Sequence, residues 1–310
     1  MFSPAEAAAC DRLIQMALEE DLGDVGDLTC QAIIPSAQQG RAVFAARSPG
    51  VLAGVEAAGR VMKAVYSGVV FEPLLSDGSS LNEGSQIAVV EGPIRSILIG
   101  ERTALNFLQH LSGIATLTRR YVDAVAGLSA QIFDTRKTTP GWRLLEKYAV
   151  RQGGGHNHRM GLYDGVLIKD NHLAALAGER NPIARAVEAA RTHTGGSVPI
   201  EIEVDNLEQF EEALACRPDI ILLDNMHPSK LREAVELRDS WWAEEADLRW
   251  LEESDPIESY GPSPSVLLEA SGGVTLQTVR AIAETGVDRI SVGALTHSAP
   301  ALDIALDYVQ

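Results

Sequence analysis

Apolar residues follow two alternating patterns from residue 131 to the end of the chain. Short runs rich in Val, Ile and Leu predict strands buried on both faces, and apolar residues three or four apart predict helices between them. The predicted strands are QIFDT, DGVLIK, VPIEIEV, DIILLD, VLLEA and DRISVG, and the predicted helices are 140–152, 181–194, 206–215, 228–237, 275–285 and 299–310. This alternation indicates an α/β fold, and six or seven units favour an incomplete βα-barrel over an open sheet.

The N-terminal part of the chain has a different pattern. An amphipathic helix is predicted over 4–20, with Ser3 as its N-cap and Glu6 at the capping-box position. Short strand-like runs and turn signals follow, and a long helix with regular apolar spacing is predicted over 101–126. Short strands that precede a long helix are typical of an α+β layer.

These patterns predict two domains. We expect an N-terminal α+β sandwich domain over 1–115, with the C-terminal helix 299–310 packed against it, and a βα-barrel domain over 116–298. Residues 239–264 interrupt the barrel pattern with three of the four tryptophans among many acidic residues. We interpret this stretch as a surface insertion whose indoles dock onto the barrel or onto a partner subunit.

The composition narrows the possible partners. The chain has 43 Asp and Glu against 26 Lys and Arg, a formal net charge of -17, so its overall field repels nucleic acid. We expect no membrane span because no run of about 18 apolar residues occurs. The acidic N-terminus lacks the basic segment of a signal peptide. Three widely spaced cysteines predict neither a disulfide framework nor a zinc site, and the cytoplasm is the expected compartment.

Residues 134–172 reverse the acidic balance of the rest of the chain. A local excess of positive charge on an acidic protein favours a small polyanion as the ligand. We interpret Arg143, Lys147 and Arg151 as the charged face of an ordinary solvated helix. The remaining cations flank predicted strands and a glycine-rich turn, where a binding role is favoured; they are Arg136, Lys137, Arg159 and Lys169.

Polar residues recur where each predicted strand of the barrel ends. In a βα-barrel these ends face one mouth, where such enzymes place their chemistry. The residues are Arg136 and Lys137 after the first strand, Lys169 at the end of the second, Glu203 in the third, Asp224 in the fourth, Glu269 and Ser271 in the fifth, and Gly293 after the sixth. So many charged strand ends predict an active site at this mouth.

The residue types indicate the chemistry. Glu203 and Asp224 on neighbouring strands suit a Mg²⁺ ion that keeps its waters and bridges a phosphorylated substrate. The alternative is that these carboxylates form salt bridges with Lys137 and Lys169.

Glycine-containing turns at Ser271-Gly272 and at Gly293 precede predicted helices and offer backbone N–H groups to a phosphate. Arg136, His158 and Arg159 can hold carboxylates, and arginine does so with a bidentate fork. His158 is equally compatible with a structural role in its loop.

The ordered motifs resemble one family. DTRKTTPG, GGGHNHR, KDNH, IEIEV, LLDNM, EASGG and ISVGALTHS occur in the order seen in the quinolinate phosphoribosyltransferase family, and the resemblance covers nearly all of the chain except 239–264. It implies that quinolinate and phosphoribosyl pyrophosphate react to nicotinate mononucleotide, pyrophosphate and CO₂, with Mg²⁺ and without an organic cofactor. It also implies a homodimer with shared active sites, which can assemble further into a hexamer.

The resemblance also implies roles for single residues. Arg136, His158 and Arg159 match the positions that bind the quinolinate carboxylates, and Lys137 and Lys169 match lysines that contact substrate and pyrophosphate. Glu203 and Asp224 match the acidic pair near the ribose and its metal, and Ser271, Gly272 and Gly293 match the phosphate loops. Arg102 matches an arginine donated to the neighbouring subunit. This match accounts for a cation at the start of the predicted helix 101–126, where the helix dipole disfavours it.

Two other classes of protein remain as alternatives. Lys169 at a barrel strand end could form the imine of a Schiff-base aldolase or lyase. The acidic tryptophan-rich stretch 239–264 could belong to a non-catalytic module that binds a partner. A closer alternative is a phosphoribosyltransferase that acts on another pyridine or pyrimidine acid.

Overall fold

The computed structural model describes residues 1–252 and 266–309, with side chains described through residue 243 in the first range. The chain divides into two compact units. The first unit comprises Met1–Val122, Asp134–Asn157 and Gly293–Gln310, and the second comprises Asp123–Phe133 and His158–Val292. None of the described helices is long and apolar enough to cross a membrane.

The first unit contains a four-stranded antiparallel sheet and a two-stranded one. Its strands are β1 (Gln39–Ala46), β2 (Gly50–Val51), β3 (Val70–Pro73), β4 (Ser80–Leu81), β5 (Gln86–Pro93) and β12 (Ile304–Val309). The larger sheet has the order β12-β1-β5-β3, and β2 pairs with β4. Residues 42–46 of β1 are all buried, so this strand lies at the centre of the core of the unit.

The predicted C-terminal helix 299–310 is wrong. Its last residues form β12, which pairs antiparallel with β1 from Ala46↔Ile304 to Arg41↔Val309. Leu302, Ile304, Leu306 and Tyr308 alternate with other residues, and this period of two favours a strand. Pairing with β1 satisfies backbone groups that would otherwise lie at the edge of the sheet.

The first unit contains helices at the predicted positions 4–20, 101–126 and 140–152, with different bounds. Its helices are α1 (Pro4–Leu22), α2 (Leu28–Ile33), α3 (Val55–Val65), α4 (Ile94–Ala124), α5 (Arg143–Gln152) and α11 (Ala294–His297). The capping box of α1 is confirmed, because the Glu6 N–H donates to the Ser3 hydroxyl and the Ser3 N–H donates to the Glu6 carboxylate.

The position of Arg102 within its helix was predicted wrongly. Helix α4 begins at Ile94 rather than near residue 101, so Arg102 lies within the helix and is exposed. The dipole of the helix acts only within its first and last turns. Arg102 is therefore an exposed cation beyond the first turn of α4, where the helix dipole does not disfavour it.

The second unit is the predicted incomplete barrel. Its six parallel strands are β6 (Gln131–Phe133), β7 (Val166–Ile168), β8 (Ile200–Val204), β9 (Ile220–Asp224), β10 (Leu267–Ser271) and β11 (Arg289–Ser291), in the order β6-β11-β10-β9-β8-β7. The intervening helices are α6 (Asp170–Ala175), α7 (Pro182–Thr194), α8 (Leu207–Ala215), α9 (Pro228–Glu252) and α10 (Val279–Ala283). All six predicted strands are confirmed, and their carboxyl ends lie at one edge.

Only the beginning of the predicted insertion 239–264 lies in the described residues, where it continues α9 beyond the predicted end of that helix at residue 237. The Trp241 ring lies 5.1 Å from the Arg217 guanidinium carbon and packs edge-on against Trp242. The rest of the predicted insertion lies outside the described residues.

Candidate active site

Lys169 and Glu203 connect two neighbouring strand ends of the barrel. Lys169 directly follows β7, and its Nζ donates to Glu203 Oε2 on β8 over 2.6 Å. The Lys169 side chain is 44% exposed, whereas that of Glu203 is 12% exposed, so the carboxylate depends on this cation for its charge balance. The salt-bridge alternative is confirmed for this pair, and it leaves an amine and a carboxylate together at the mouth.

Asp224 is the last residue of β9 and lies beside Ser271 of β10 in the strand register. Glu203 pairs with Leu222 in the register between β8 and β9, so the carboxylates of Glu203 and Asp224 belong to adjacent strands. Both residues are partly exposed. Two oxygen ligands that leave most positions to water fit Mg²⁺, which is reluctant to lose its hydration shell.

The turn after β10 requires glycine. Gly272 has φ +92°, and a Cβ on this residue would lie 2.6 Å from Asn225 Oδ1 and 2.9 Å from the Asn225 backbone nitrogen. The Asn225 N–H donates to the Ser271 carbonyl over 2.8 Å, which joins this turn to the end of β9. The sequence reasoning did not single out Asn225, although it lies in the LLDNM motif.

His158 lies in a buried cluster with two carboxylates. Its Nε2 is 2.9 Å from Glu201 Oε2 on β8 and 3.6 Å from Glu269 Oε1 on β10. The Glu201 and Glu269 side chains are 4% and 0% exposed. Within the described residues, Oε1 of Glu201 is buried without a hydrogen-bond partner. Burial, together with the Glu201 carboxylate, raises the pKa of Glu269 to about 7, and His158 opposes this shift.

The residues after His158 form a tight polar turn. The Arg159 N–H donates to His158 Nδ1 over 2.8 Å, and Arg159 Nη1 donates to the Gly165 carbonyl over 2.9 Å. Asp164 accepts from the backbone N–H groups of Met160 and Gly161 over 2.7 and 2.9 Å. These bonds hold the partly buried Arg159 between the cluster and the start of β7.

A buried ion pair anchors the segment that carries Arg136 and Lys137. Asp134 follows β6 and pairs with Lys147 of α5, and both side chains are 0% exposed. Asn157 also donates to the Asp134 carboxylate over 2.6 Å. The prediction that Lys147 lies on a solvated helix face is therefore wrong. A helical spacing of charges does not reveal that one of them faces a buried carboxylate.

The two other cations of α5 are less buried. Arg143 Nε donates to the Thr138 hydroxyl over 3.0 Å, and Arg151 pairs with Glu6 of α1. Arg143 is partly exposed and Arg151 is exposed. The solvated-face interpretation therefore applies best to Arg151.

Arg136, Lys137 and Gly293 belong to the first unit. Nε of Arg136 is buried and has no hydrogen-bond partner among the residues that the structure describes. The Lys137 carbonyl accepts from the Thr296 hydroxyl over 2.8 Å, and Lys137 is exposed. A Cβ on Gly293 would lie 3.1 Å from Lys137 Cδ. Lys137 therefore packs closely on the Gly293 turn, and Arg136 keeps a buried donor that an anion could satisfy.

A mouth with paired carboxylates, an amine and a glycine turn on an incomplete βα-barrel is typical of enzymes that bind a phosphorylated sugar. Residues 114–307 match the family "Quinolinate phosphoribosyl transferase, C-terminal domain" and residues 27–112 match "Quinolinate phosphoribosyl transferase, N-terminal domain". The chain belongs to the quinolinate phosphoribosyltransferase family.

Named relatives agree with this assignment. The chain is 44% identical to the nicotinate-nucleotide pyrophosphorylase [carboxylating] of Mycobacterium leprae, covering 99% of this chain and all of that protein. It is 41% identical to quinolinate phosphoribosyltransferase [decarboxylating] 1 of Nicotiana glauca, covering 95% of this chain and 81% of that protein. The structure of the nicotinate-nucleotide pyrophosphorylase from Francisella tularensis aligns with a TM-score of 0.84 at 35% identity, covering 97% and 96% of the two chains.

Proposed function

We infer that this chain catalyses the reaction of its family, in which phosphoribosyl pyrophosphate and quinolinate give nicotinate mononucleotide, pyrophosphate and CO₂ in NAD biosynthesis. Membership of the family over 27–112 and 114–307 carries this conclusion. The Lys169–Glu203 pair at the barrel mouth supports it. The same pair disfavours a Schiff-base enzyme, because imine formation needs a neutral amine rather than one that donates to a carboxylate.

Cations bind the dianionic acid in this proposal. Arg136 has a buried Nε that lacks a partner among the described residues, and a carboxylate would satisfy it. Arg159 lies in the polar turn before β7 and offers a guanidinium that can bind a carboxylate in the same way. Lys137 and Lys169 supply positive charge to substrate and departing pyrophosphate. Two arginines and two lysines suit a dicarboxylate beside a polyphosphate.

The ribose phosphate is held at the strand ends. The turn at Ser271 and Gly272 and the residue Gly293 present backbone N–H groups to the 5-phosphate. Glu203 and Asp224 lie near the ribose hydroxyls and would hold Mg²⁺ through water. When bound, this ion supplies positive charge that stabilises the pyrophosphate.

The chemistry needs no organic cofactor in this proposal. The quinolinate nitrogen forms a bond to the anomeric carbon as the bond to pyrophosphate breaks. The ring nitrogen becomes positively charged, so the adjacent C–CO₂ bond can break with its electron pair retained by the ring carbon, which then takes up a proton. Lys137 and Lys169 stabilise the leaving group electrostatically.

We also propose a cytoplasmic homodimer with shared active sites, which can assemble further into a hexamer. Arg102 supports this proposal, because it is an exposed cation on α4, available to a neighbouring subunit. The free thiols of Cys10, Cys30 and Cys216 are consistent with a reducing compartment. The excess of acidic residues disfavours nucleic acid as a partner.

The deciding experiment incubates the purified protein with quinolinate, phosphoribosyl pyrophosphate and Mg²⁺. We expect nicotinate mononucleotide and CO₂ in equal amounts, measured by chromatography and by release of labelled CO₂. Nicotinate and a pyrimidine acid serve as competing substrates. Product from one of these acids, with none from quinolinate, would replace the proposed substrate.

A further inference from the structure

Glu201 and Glu269 have no role in the chemistry described above, although both lie against His158. Glu201 of β8 and Glu269 of β10 are buried, with 4% and 0% of their side chains exposed, and β9 lies between their strands. One carboxylate oxygen from each glutamate and one ring nitrogen of His158 all lie within 4.8 Å of one another. Buried carboxylates are costly unless a donor or a proton compensates them, so this arrangement needs a physical reason.

Both ring nitrogens of His158 have defined roles. The Arg159 N–H donates to Nδ1 over 2.8 Å, so Nδ1 is an acceptor and carries no proton. Nε2 lies 2.9 Å from Glu201 Oε2 and therefore carries the ring proton, which it donates to the carboxylate. These contacts select the neutral Nε2–H tautomer of His158.

The same tautomer disfavours a metal ion in the cluster. A histidine that binds a metal through Nε2 normally carries its proton on Nδ1 and donates it to an acceptor. Here Nδ1 faces the Arg159 N–H, which is a donor. A metal at Nε2 would therefore place two hydrogens against each other at Nδ1, and the Glu201 carboxylate, which accepts the Nε2 proton in a hydrogen bond, is the better partner for His158.

We propose that Glu201 and Glu269 are positioning residues that hold His158 in its Nε2–H tautomer and thereby fix the backbone of Arg159. This inference rests on the proposed function, because Arg159 is the residue that binds a quinolinate carboxylate. The two carboxylates then act on the substrate site through His158 and the Arg159 backbone. The His158 imidazole connects the buried Glu201 to the Arg159 backbone, and the Gly165 carbonyl accepts from the Arg159 guanidinium.

The charge of the cluster is consistent with this role. Two ionised carboxylates below the binding site would repel a dianionic substrate. The raised pKa of Glu269 leaves a substantial share of this residue neutral near pH 7, which reduces the repulsion. Arg289 of β11 faces the same carboxyl and acts in the opposite direction, as His158 does.

The experiment compares two substitutions of one residue. Glu201→Gln keeps an oxygen that accepts from His158 Nε2, whereas Glu201→Leu removes the acceptor. We expect Glu201→Leu to raise the KM for quinolinate by a factor on the order of ten, with the KM for phosphoribosyl pyrophosphate changed less than about threefold. Glu201→Gln should restore the quinolinate KM to within about threefold of the wild type. Glu211→Gln, an exposed carboxylate on α8, is the matched control.

A second measurement on the wild-type protein does not depend on the folding of a variant. Nitrogen-15 NMR of histidine-labelled protein should show His158 as the Nε2–H tautomer near pH 7, with and without quinolinate. His158→Gln assigns its signals. An imidazolium or an Nδ1–H tautomer overturns the proposal, and so does an equal rise in both KM values for Glu201→Leu. Wild-type turnover of quinolinate is measured separately, so failure of the proposed function is recognised by itself.

Discussion

Lys169 Nζ and Glu203 Oε2 lie 2.6 Å apart and join the end of β7 to β8. Both residues are proposed to contact the substrates. Their hydrogen bond holds each side chain in place before a ligand binds. Charge-assisted hydrogen bonds of this kind are stronger than neutral ones and restrict both side chains. The pair therefore organises the mouth of the barrel in advance, with a half-exposed amine that can turn towards a departing anion.

Removal of this amine should impair turnover. We expect Lys169→Ala to lower kcat by a factor on the order of hundreds, because it removes a cation from the leaving group and leaves Glu203 without this partner. Lys137→Ala and Arg159→Ala should have effects of similar size. Release of labelled CO₂ is the measurement. Lys230→Ala, which removes an exposed amine paired with Glu233 on α9, is the control. Near-wild-type CO₂ release removes a residue from the proposed site.

The turn after β10 should not tolerate a side chain at Gly272. We expect Gly272→Ala to raise the KM for phosphoribosyl pyrophosphate about tenfold or more, because its Cβ would meet Asn225 and its φ is left-handed. Destabilisation of about 1–3 kcal/mol should accompany this change. Steady-state kinetics and urea unfolding test both effects. Gly178→Ala is the control, since no heavy atom lies within 4 Å of its Cβ position. Equal kinetics in the two variants would contradict the prediction.

The buried pair of Asp134 and Lys147 should be sensitive to the loss of either charge. We expect Lys147→Met to destabilise the protein by about 3–5 kcal/mol, because Asp134 loses its buried countercharge. Guanidinium unfolding measures this cost. Adding Asp134→Asn to Lys147→Met should recover part of the lost stability, since the remaining charge is then also removed. A double variant less stable than Lys147→Met would show that the charges do not act as a pair.

The raised pKa of Glu269 predicts a particular pH dependence of stability. A carboxyl whose pKa is raised in the folded state binds more protons folded than unfolded between its usual value and about 7. Its contribution to stability is therefore present at acid pH and is lost as the pH rises through about 7. Thermal unfolding of Glu269→Gln should lack this loss between about pH 5 and 7.5. Parallel pH profiles for the wild type and the variant would contradict the assignment.

The proposed metal gives a direct test. Chelation with EDTA should reduce turnover by a factor on the order of a hundred or more, and added Mg²⁺ should restore it. Asp224→Asn should raise the Mg²⁺ concentration needed for half-maximal turnover about tenfold, because one carboxylate is lost. Glu208→Gln, an exposed carboxylate on α8, should leave that concentration unchanged. Full turnover in the presence of EDTA would remove Mg²⁺ from the proposal.

Local patterns in the sequence were enough to predict most of the fold. Six apolar runs gave the six barrel strands, since a strand covered on both faces carries apolar residues throughout. The C-terminal segment was misread because its pairing partner is β1, more than 250 residues earlier in the chain. Arg102 was misplaced because the start of α4 was not recognised. The residue at which a helix begins depends on backbone hydrogen bonds, which the spacing of apolar residues does not report.

The sequence by itself determined which segments form the barrel strands, which charged residues lie at the ends of those strands, and the family to which the chain belongs. Only the tertiary structure decided how those charges are used. It paired Lys169 with Glu203, buried Lys147 against Asp134 and enclosed His158 between Glu201 and Glu269. These partners are separated by 13 to 111 residues in the chain. Burial and partner identity depend on which strands and loops become neighbours, and spacing along the chain does not contain that information.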